Sequence, residues 1–277
     1  MLWSRKRTGE REIIMSDQAA LFRGLHRGGA VLVLPNAWDA ASAAVIEAAG
    51  ARAIATTSAG VSWANGAPDA QGLTRERMVA AVARIVAAVR VPVTADIEGG
   101  YGDVAATVRA VIEAGAVGVN LEDSGGTPLL SPKDQARRIV EARAAADAAG
   151  VDVFINARTD VYLVGIPGDQ PAEVEERARV YADAGADGLF VPGLLDLDVI
   201  ARLAGGPLPL NVMAGPGAPA VAELAAAGVA RVSVGSAIAQ SAYACAARAA
   251  AELLGAGTYD ALADGLDYGA LNAALST

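Results

Sequence analysis

The chain has 277 residues, 53% hydrophobic and 19% charged, with 22 Lys and Arg against 31 Asp and Glu and a formal net charge of −9. That length and apolar content suffice for one large core, and the acidic balance argues against nucleic acid and anionic membrane surfaces as partners. No charge-free apolar run reaches the ~18 residues of a membrane span, and a single Cys and a single His leave little room for disulfide, thiol or imidazole chemistry and fit a reducing, cytoplasmic setting.

Residues 1–15 read as a disordered N-terminal extension, basic at Arg5, Lys6 and Arg7 but without the apolar stretch of a signal peptide. Met15, followed by Ser16 and Asp17, reads as an alternative start. Residues 16–277 read as one domain. An amphipathic stretch at 17–25 is expected to form a leading helix, and His26 is expected in a surface or capping role. Strands are expected at 30–34, 53–57, 91–95, 117–121, 153–157, 188–191, 208–212 and 229–234, each an apolar β-rich run. Ala-rich helices lie between them, several stopped by the Gly of an Ala-Gly-Ala or Ala-Gly-Val phrase. Residues 58–72 read as a Ser/Gly/Asn-rich loop, and the helix after strand four is expected to start near Ser131, with Pro132 in its first turn. A long helix at 236–254 carries Cys245, expected in the core, and a last segment follows at 259–275.

Eight strands in βα alternation, with short αβ turns and longer βα loops, describe a (β/α)8 barrel with an extra C-terminal helical segment. A doubly wound sheet is the alternative. In a barrel the reactive groups belong at strand C-termini. Those positions hold Asn36 and Asp39, Thr57 and Ser58, Asp96 and Glu98, Glu122 and Asp123, Arg158 and Asp160, and Asn211, whereas the strand N-termini hold almost nothing ionisable.

The stretch at 91–102 concentrates the chemistry, because an apolar run delivers Asp96 and Glu98 to a turn rich in glycine. Residues two apart on a strand share a face, so the pair points one way if the strand continues through both. Mg²⁺ takes one or two carboxylates and keeps several waters; in the alternative, Asp96 caps the next helix and Glu98 is solvated. With no His or Cys ligand to suit zinc, the acidic cluster calls for Mg²⁺ or Mn²⁺. Arg158 suits a substrate carboxylate bidentately, and the turn at Thr57, Ser58 and Ala59 offers donors to a second anionic group. Such a site fits a 2-oxo or 2-hydroxy acid. Asp39 is a candidate cap for the first barrel helix, and Asp160 is expected to orient Arg158. Trp38 and Tyr101 either line the pocket or close the barrel top.

Three motifs carry a resemblance: Asp96-Ile97-Glu98-Gly99-Gly100-Tyr101-Gly102, Gly118-Val119-Asn120-Leu121-Glu122-Asp123 and Asn156-Ala157-Arg158-Thr159-Asp160. In order and spacing they resemble the isocitrate lyase/phosphoenolpyruvate mutase superfamily, over roughly residues 34–242. The resemblance implies a (β/α)8 barrel with its eighth helix swapped between subunits of a homo-oligomer, dimer or tetramer, and an Mg²⁺-stabilised enolate. It places Asp96 on the direct metal ligand, Glu98 and Glu122 on groups acting through water, and Asp69 near the metal waters. Thr57, Ser58 and Ala59 fall on the carboxylate-binding turn, Arg158 on the substrate arginine, and Asn211 on an amide near the substrate. Glu98 replaces the aspartate usual at its position. Where lyase members carry a Cys-Gly-His loop whose cysteine is the proton donor, this chain reads Ser124-Gly125-Gly126-Thr127-Pro128, and the Lys and Asn of phosphonate-processing members are missing too. Losing a positioned general acid costs about 10²- to 10⁴-fold. The expectation is therefore a carbon–carbon lyase resembling oxaloacetate decarboxylase, since water can protonate that product. The alternatives are retro-aldol cleavage of 2-methylisocitrate or isocitrate, and a non-catalytic binder of 2-oxo dicarboxylates such as 2-oxoglutarate.

Overall fold

Pro35 interrupts the first strand because it has no N–H to give to a ladder. In the computed structural model, which describes residues 2–27, 29–70, 72–124 and 129–276, with side chains from residue 13 onward, the two halves part company there. β1 (Leu32–Leu34) pairs with the last strand, and β2 (Asn36–Ala37) pairs with the next. The others are β3 (Ile54–Thr56), β4 (Val93–Asp96), β5 (Gly118–Glu122), β6 (Phe154–Arg158), β7 (Gly188–Val191), β8 (Leu210–Met213) and β9 (Arg231–Ser233). All pair in parallel in the order β1-β9-β8-β7-β6-β5-β4-β3-β2. With β1 and β2 counted as one broken strand, this is the expected (β/α)8 barrel, closed across Pro35. Asn36 bridges the break, its amide donating to Thr56 O at 3.2 Å while its Oδ1 accepts from Val234 N at 3.0 Å.

The helices are α1 (Leu2–Leu25), α2 (Ala40–Ala48), α3 (Ser58–Ala64), α4 (Arg75–Ala87), α5 (Val104–Ala114), α6 (Pro132–Ala148), α7 (Val161–Val164), α8 (Gln170–Asp183), α9 (Leu197–Ala204), α10 (Val221–Ala226), α11 (Ala237–Gly255) and α12 (Tyr268–Ala274). Their starts follow the expected chemistry. Asp39, Asp103 and Ser131 each accept from a first-turn N–H of α2, α5 and α6, and Gly115 at φ 101° ends α5. Helix α1 reaches back through the residues read as an extension, and the region read as loop after β3 begins with α3, whose N-cap is Thr57.

Helix α1 floors the barrel. Phe22 packs where Gly118 has no side chain, since a Cβ there would lie 2.8 Å from the Phe22 ring. Arg23 pairs with Asp187 and Asp152, both at 2.6 Å. His26 corrects its surface assignment: it is buried and stacked on Phe154 at 3.9 Å, with Nδ1–H donating to Phe22 O. Within the barrel, Arg231 is buried and donates to Asn120 Oδ1 at 3.3 Å, which also accepts from Asn156. Cys245 corrects its core assignment, because α11 touches the barrel mainly at its start, where Ala239 is buried, and residues 240–248 are exposed. No helix among the described residues is long and apolar enough to cross a membrane.

Burial, reinforced by the nearby Arg231 charge, pushes the His26 imidazole down to about 3. Between pH 6.5 and about 3 the unfolded chain therefore binds a proton that the folded chain refuses. His26 contributes stability above pH 6.5 that is lost as pH falls through this window. Denaturant titrations at pH 7 and pH 4.5 should show the wild type losing about 2 kcal/mol more than His26→Leu over that step.

Candidate active site

Register sets the first contact of the site. Glu122 and Arg158 are Cα partners across β5 and β6, at the C-terminal ends of both strands, and their side chains pair at 2.9 Å. Arg158 also donates from Nε and Nη2 to the two oxygens of Asp160, at 2.6 and 2.9 Å. Asp160 thus orients the guanidinium, as the sequence suggests. Three of the five guanidinium N–H donors are engaged, and two remain for a ligand. Burial works against this charge, but Glu122 and Asp160 outweigh it and hold the Arg158 pKa above its ordinary value.

Asp96 lies on the adjacent side of Glu122. β4 ends at Asp96, and its register partner on β5 is Asn120. Its backbone N–H donates to Thr56 Oγ1 at 2.8 Å, and its carboxylate accepts from the N–H groups of Glu98 at 3.2 Å and Ser58 at 3.3 Å. No cation lies within ion-pair distance of it among the described residues. Burial raises the Asp96 pKa against the field of Arg158 and these N–H donors. Burial likewise pushes Glu122 up to about 7, opposed by Arg158 and reinforced by Asp96 and Asp160. The cluster is short of positive charge.

Glu98 is placed by a turn, not by strand alternation. Its φ is +48° and that of Tyr101 is +51°, left-handed conformations that cost non-glycine residues energy and gather at functional sites. The turn brings Tyr101 OH to Glu98 Oε1 at 2.7 Å. Glu98 and Tyr101 line a cavity of about 780 Å³ with Glu122, Ser124, Arg138 and the start of α4. Asp69 is exposed, close enough to add its field to Tyr101.

The carboxylate turn is partly spent, because Ser58 N–H is directed at Asp96 and Thr57 is buried as the N-cap of α3. Ala59 is buried beside them, and Trp38 packs over Gly60, where a Cβ would come within 2.8 Å of its own. Asn211 is buried on β8 beside Arg231, its Oδ1 accepting from Ser233 at 3.3 Å and its amide nitrogen without a partner. Asp39 serves α2 as a capping box with Ser42. The substituted loop, residues 125–128, lies outside the described residues.

Arg177 and Tyr181 had no sequence signal, whereas the Asp123 they hold is one of the strand C-terminal groups expected from the sequence. Asp123 is fully buried and accepts from Arg177 at 2.8 Å, Tyr181 at 2.9 Å and the Asp160 N–H at 3.0 Å. Arg177 and Tyr181 stand one turn apart on α8, more than 50 residues along the chain from Asp123. Ser124 Oγ donates to Asp160 at 2.7 Å. These contacts fix the Arg158 partner from below and from the side.

Among the described residues no three His, Cys, Asp or Glu converge into a ready-made metal cage. The donor set nonetheless fits Mg²⁺ in its usual manner, with one or two carboxylates and several waters. Asp96 is a buried carboxylate with no ion pair among the described residues, its field reaches Glu122, and its carboxylate accepts from the Glu98 N–H.

A parallel barrel with acidic groups and one arginine gathered at its strand C-termini defines the class of fold and site to be matched. The chain matches the family described as phosphoenolpyruvate phosphomutase over residues 22–254. It belongs to the isocitrate lyase/phosphoenolpyruvate mutase superfamily, whose members are lyases and mutases. It is 42% identical to an uncharacterised protein of Mycobacterium tuberculosis, over 78% of this chain and 81% of the other. It is 32% identical to 2-methylisocitrate lyase of Aeropyrum pernix, over 63% of this chain and 58% of that one. Oxaloacetate acetylhydrolase in complex with its product oxalate superposes with a TM-score of 0.85, at 26% identity and covering 94% of each chain.

Arg177→Met leaves Asp123 buried without its cation, and removal of one partner of a buried pair costs about 3–5 kcal/mol. Urea unfolding should show a loss of that size. A loss below about 1 kcal/mol would mean that Asp123 is satisfied by Tyr181 and the Asp160 N–H alone.

Proposed function

We propose that the protein is an Mg²⁺-dependent carbon–carbon lyase acting on a small 2-oxo dicarboxylate, with decarboxylation of oxaloacetate as the favoured reaction. One observation carries this reading: a single oriented guanidinium, Arg158, stands against Glu122, Asp160 and the field of a buried Asp96 at one barrel end. An oxaloacetate decarboxylase of Ectopseudomonas mendocina is 32% identical over about half of each chain, which supports the choice.

In this reading Asp96 would hold the metal directly, and Glu98, Glu122 and Asp69 would hold it through water. Bound there, Mg²⁺ would supply a Lewis-acidic charge to the 2-oxo acid. The residues themselves do the rest. Arg158 turns its two unengaged N–H donors to the C1 carboxylate, and Asp160 and Ser124 hold it in that pose. Thr57, Ser58 and Ala59 flank the same carboxylate, with Trp38 and Asn211 bounding the substrate. As the bond to the departing CO₂ breaks, its electron pair moves toward the 2-oxo oxygen, and C3 takes a proton from water.

Water is favoured as the donor because neither Cys245, exposed on α11, nor His26, in the floor, is among the partners of Asp96, Glu122 or Arg158. Retro-aldol cleavage of 2-methylisocitrate is the second reading, supported by the Aeropyrum pernix relative. The reading also includes a homo-oligomer in which α11 packs on a second copy, for which the exposure of Tyr243, Leu253 and Leu254 speaks.

Pyruvate release from oxaloacetate with Mg²⁺ tests the proposal. Wild type should exceed the rate of free Mg²⁺, and Asp96→Ala and Arg158→Ala should each lose 10²-fold or more, the order reported for removing one charge-stabilising group. A wild-type rate equal to that of the free metal would sink decarboxylation and redirect the assay to 2-methylisocitrate.

A further inference from the structure

We propose that Arg138 is a specificity-determining residue whose guanidinium receives the distal carboxylate of a dicarboxylate substrate in the cavity beside the acidic cluster. The inference rests on the reading of this site as one for 2-oxo acids.

Arg138 projects from α6 to the mouth of the barrel. Its Nη1 donates to the backbone carbonyl of Glu122 and to Gln135 Oε1, both at 3.3 Å. These are long bonds to neutral acceptors. Four other buried or half-buried arginines are matched to carboxylates: Arg23 to Asp187, Arg143 to Asp187, Arg158 to Glu122 and Asp160, Arg177 to Asp123 and Glu173. The fully buried Arg231 shares with Arg138 the lack of a carboxylate within ion-pair distance among the described residues, but it is enclosed within the barrel against Asn120 and does not line the cavity. Arg138 has no carboxylate within ion-pair distance among the described residues. Its charge is held in the protein wall without a close counter-ion.

The wall in question is that of the 780 Å³ cavity, which Arg138 shares with Glu98, Tyr101, Glu122 and Ser124. The approach depends on Gly99, because a Cβ there would sit 2.6 Å from Arg138 Nη2. Any larger residue would push the guanidinium away from the turn that carries Glu98.

Charge explains why such a group is needed. Three carboxylates, Glu76, Glu98 and Glu122, line the cavity, and only Glu76 has Arg75 beside it at 3.5 Å on the exposed rim, so an anionic substrate tail passing Glu98 and Glu122 would be repelled. An unmatched guanidinium reverses that field locally and offers paired N–H donors suited to a carboxylate. Its position also suits a short dicarboxylate. Arg158 meets the side-chain carboxylate of Glu122 and Arg138 meets the main-chain carbonyl of the same residue. A substrate with one carboxylate at Arg158 and a second a few atoms away is bracketed by two cations on either side of Glu122.

Titration calorimetry on the Mg²⁺-loaded protein separates this role from a purely structural tie between α6 and β5. The probes are oxalate, which lacks a tail, malate, and 2-hydroxybutanoate, in which a methyl group replaces the distal carboxylate of malate. Wild type should bind malate about 10-fold more tightly than 2-hydroxybutanoate, as one charge-assisted hydrogen-bonded pair provides. Arg138→Met should abolish that preference and leave oxalate affinity unchanged, and Arg138→Lys should restore part of it.

Equal affinity of wild type for malate and 2-hydroxybutanoate overturns the proposal without recourse to any variant. So does an Arg138→Met protein that keeps the preference, or one that weakens oxalate and malate alike. If the wild type fails to bind oxalate, the 2-oxo acid reading itself falls, and this inference with it.

Discussion

The ion pair between Glu122 and Arg158 is the interaction on which the arrangement at the strand C-termini depends. It follows from backbone register, since β5 and β6 align these two residues as direct partners, and it needs no loop to form. Everything nearby is arranged around it. Asp160 holds the other edge of the guanidinium, Asp123 holds the Asp160 backbone, and Arg177 with Tyr181 neutralises and caps Asp123 from α8. The chain runs from an outer helix to the barrel mouth through charges that are all paired. A buried charge is tolerable only in this form.

Asp96 stands outside that pairing. Its oxygens are met by the N–H groups of Glu98 and Ser58 and by the Ser58 side chain, and the cations whose fields reach it, Arg158 and Arg231, form no ion pair with it. Electrostatics here is deliberately unbalanced, with the deficit concentrated where the left-handed turn at Glu98 and Tyr101 opens toward the cavity. Strain of that kind persists where the surroundings over-determine it, and the Tyr101 hydrogen bond to Glu98 is one such determinant.

Much of this was legible in the sequence, for identifiable reasons. Strand alternation fixed which residues belong at C-terminal ends, so Asp96, Glu122 and Arg158 could be named together before any contact was known. Local chemistry disclosed Asp39 as a cap and Asp160 as the orienter of Arg158. What escaped depends on contacts distant in the chain. His26 looks like a surface residue in the sequence because nothing in its Gly-rich neighbourhood announces that it stacks on Phe154. Arg177 sits mid-helix like any solvated arginine, and its partner is on another element. Cys245 misled in the opposite direction, because an Ala-rich stretch reads as buried whether it packs on its own barrel or stands free of it. Glu98 reached the site by a route that alternation does not describe, since the strand stops two residues earlier.

The break at Pro35 has a consequence in time. The ring closes only when β1 meets β9 and when Asn36 accepts the Val234 N–H across 198 residues of chain. Such long-range pairing is the slow part of assembling a parallel sheet. A chain emerging from the ribosome N-terminus first carries the strands bearing Asp96, Glu122 and Arg158 well before the ninth strand exists. Throughout synthesis those strands form at most an open ribbon with two unpaired margins, the kind of edge that recruits other chains. Vulnerability to misassociation is therefore greatest in nascent chains that already hold every acidic residue of the site but have not yet reached Val234.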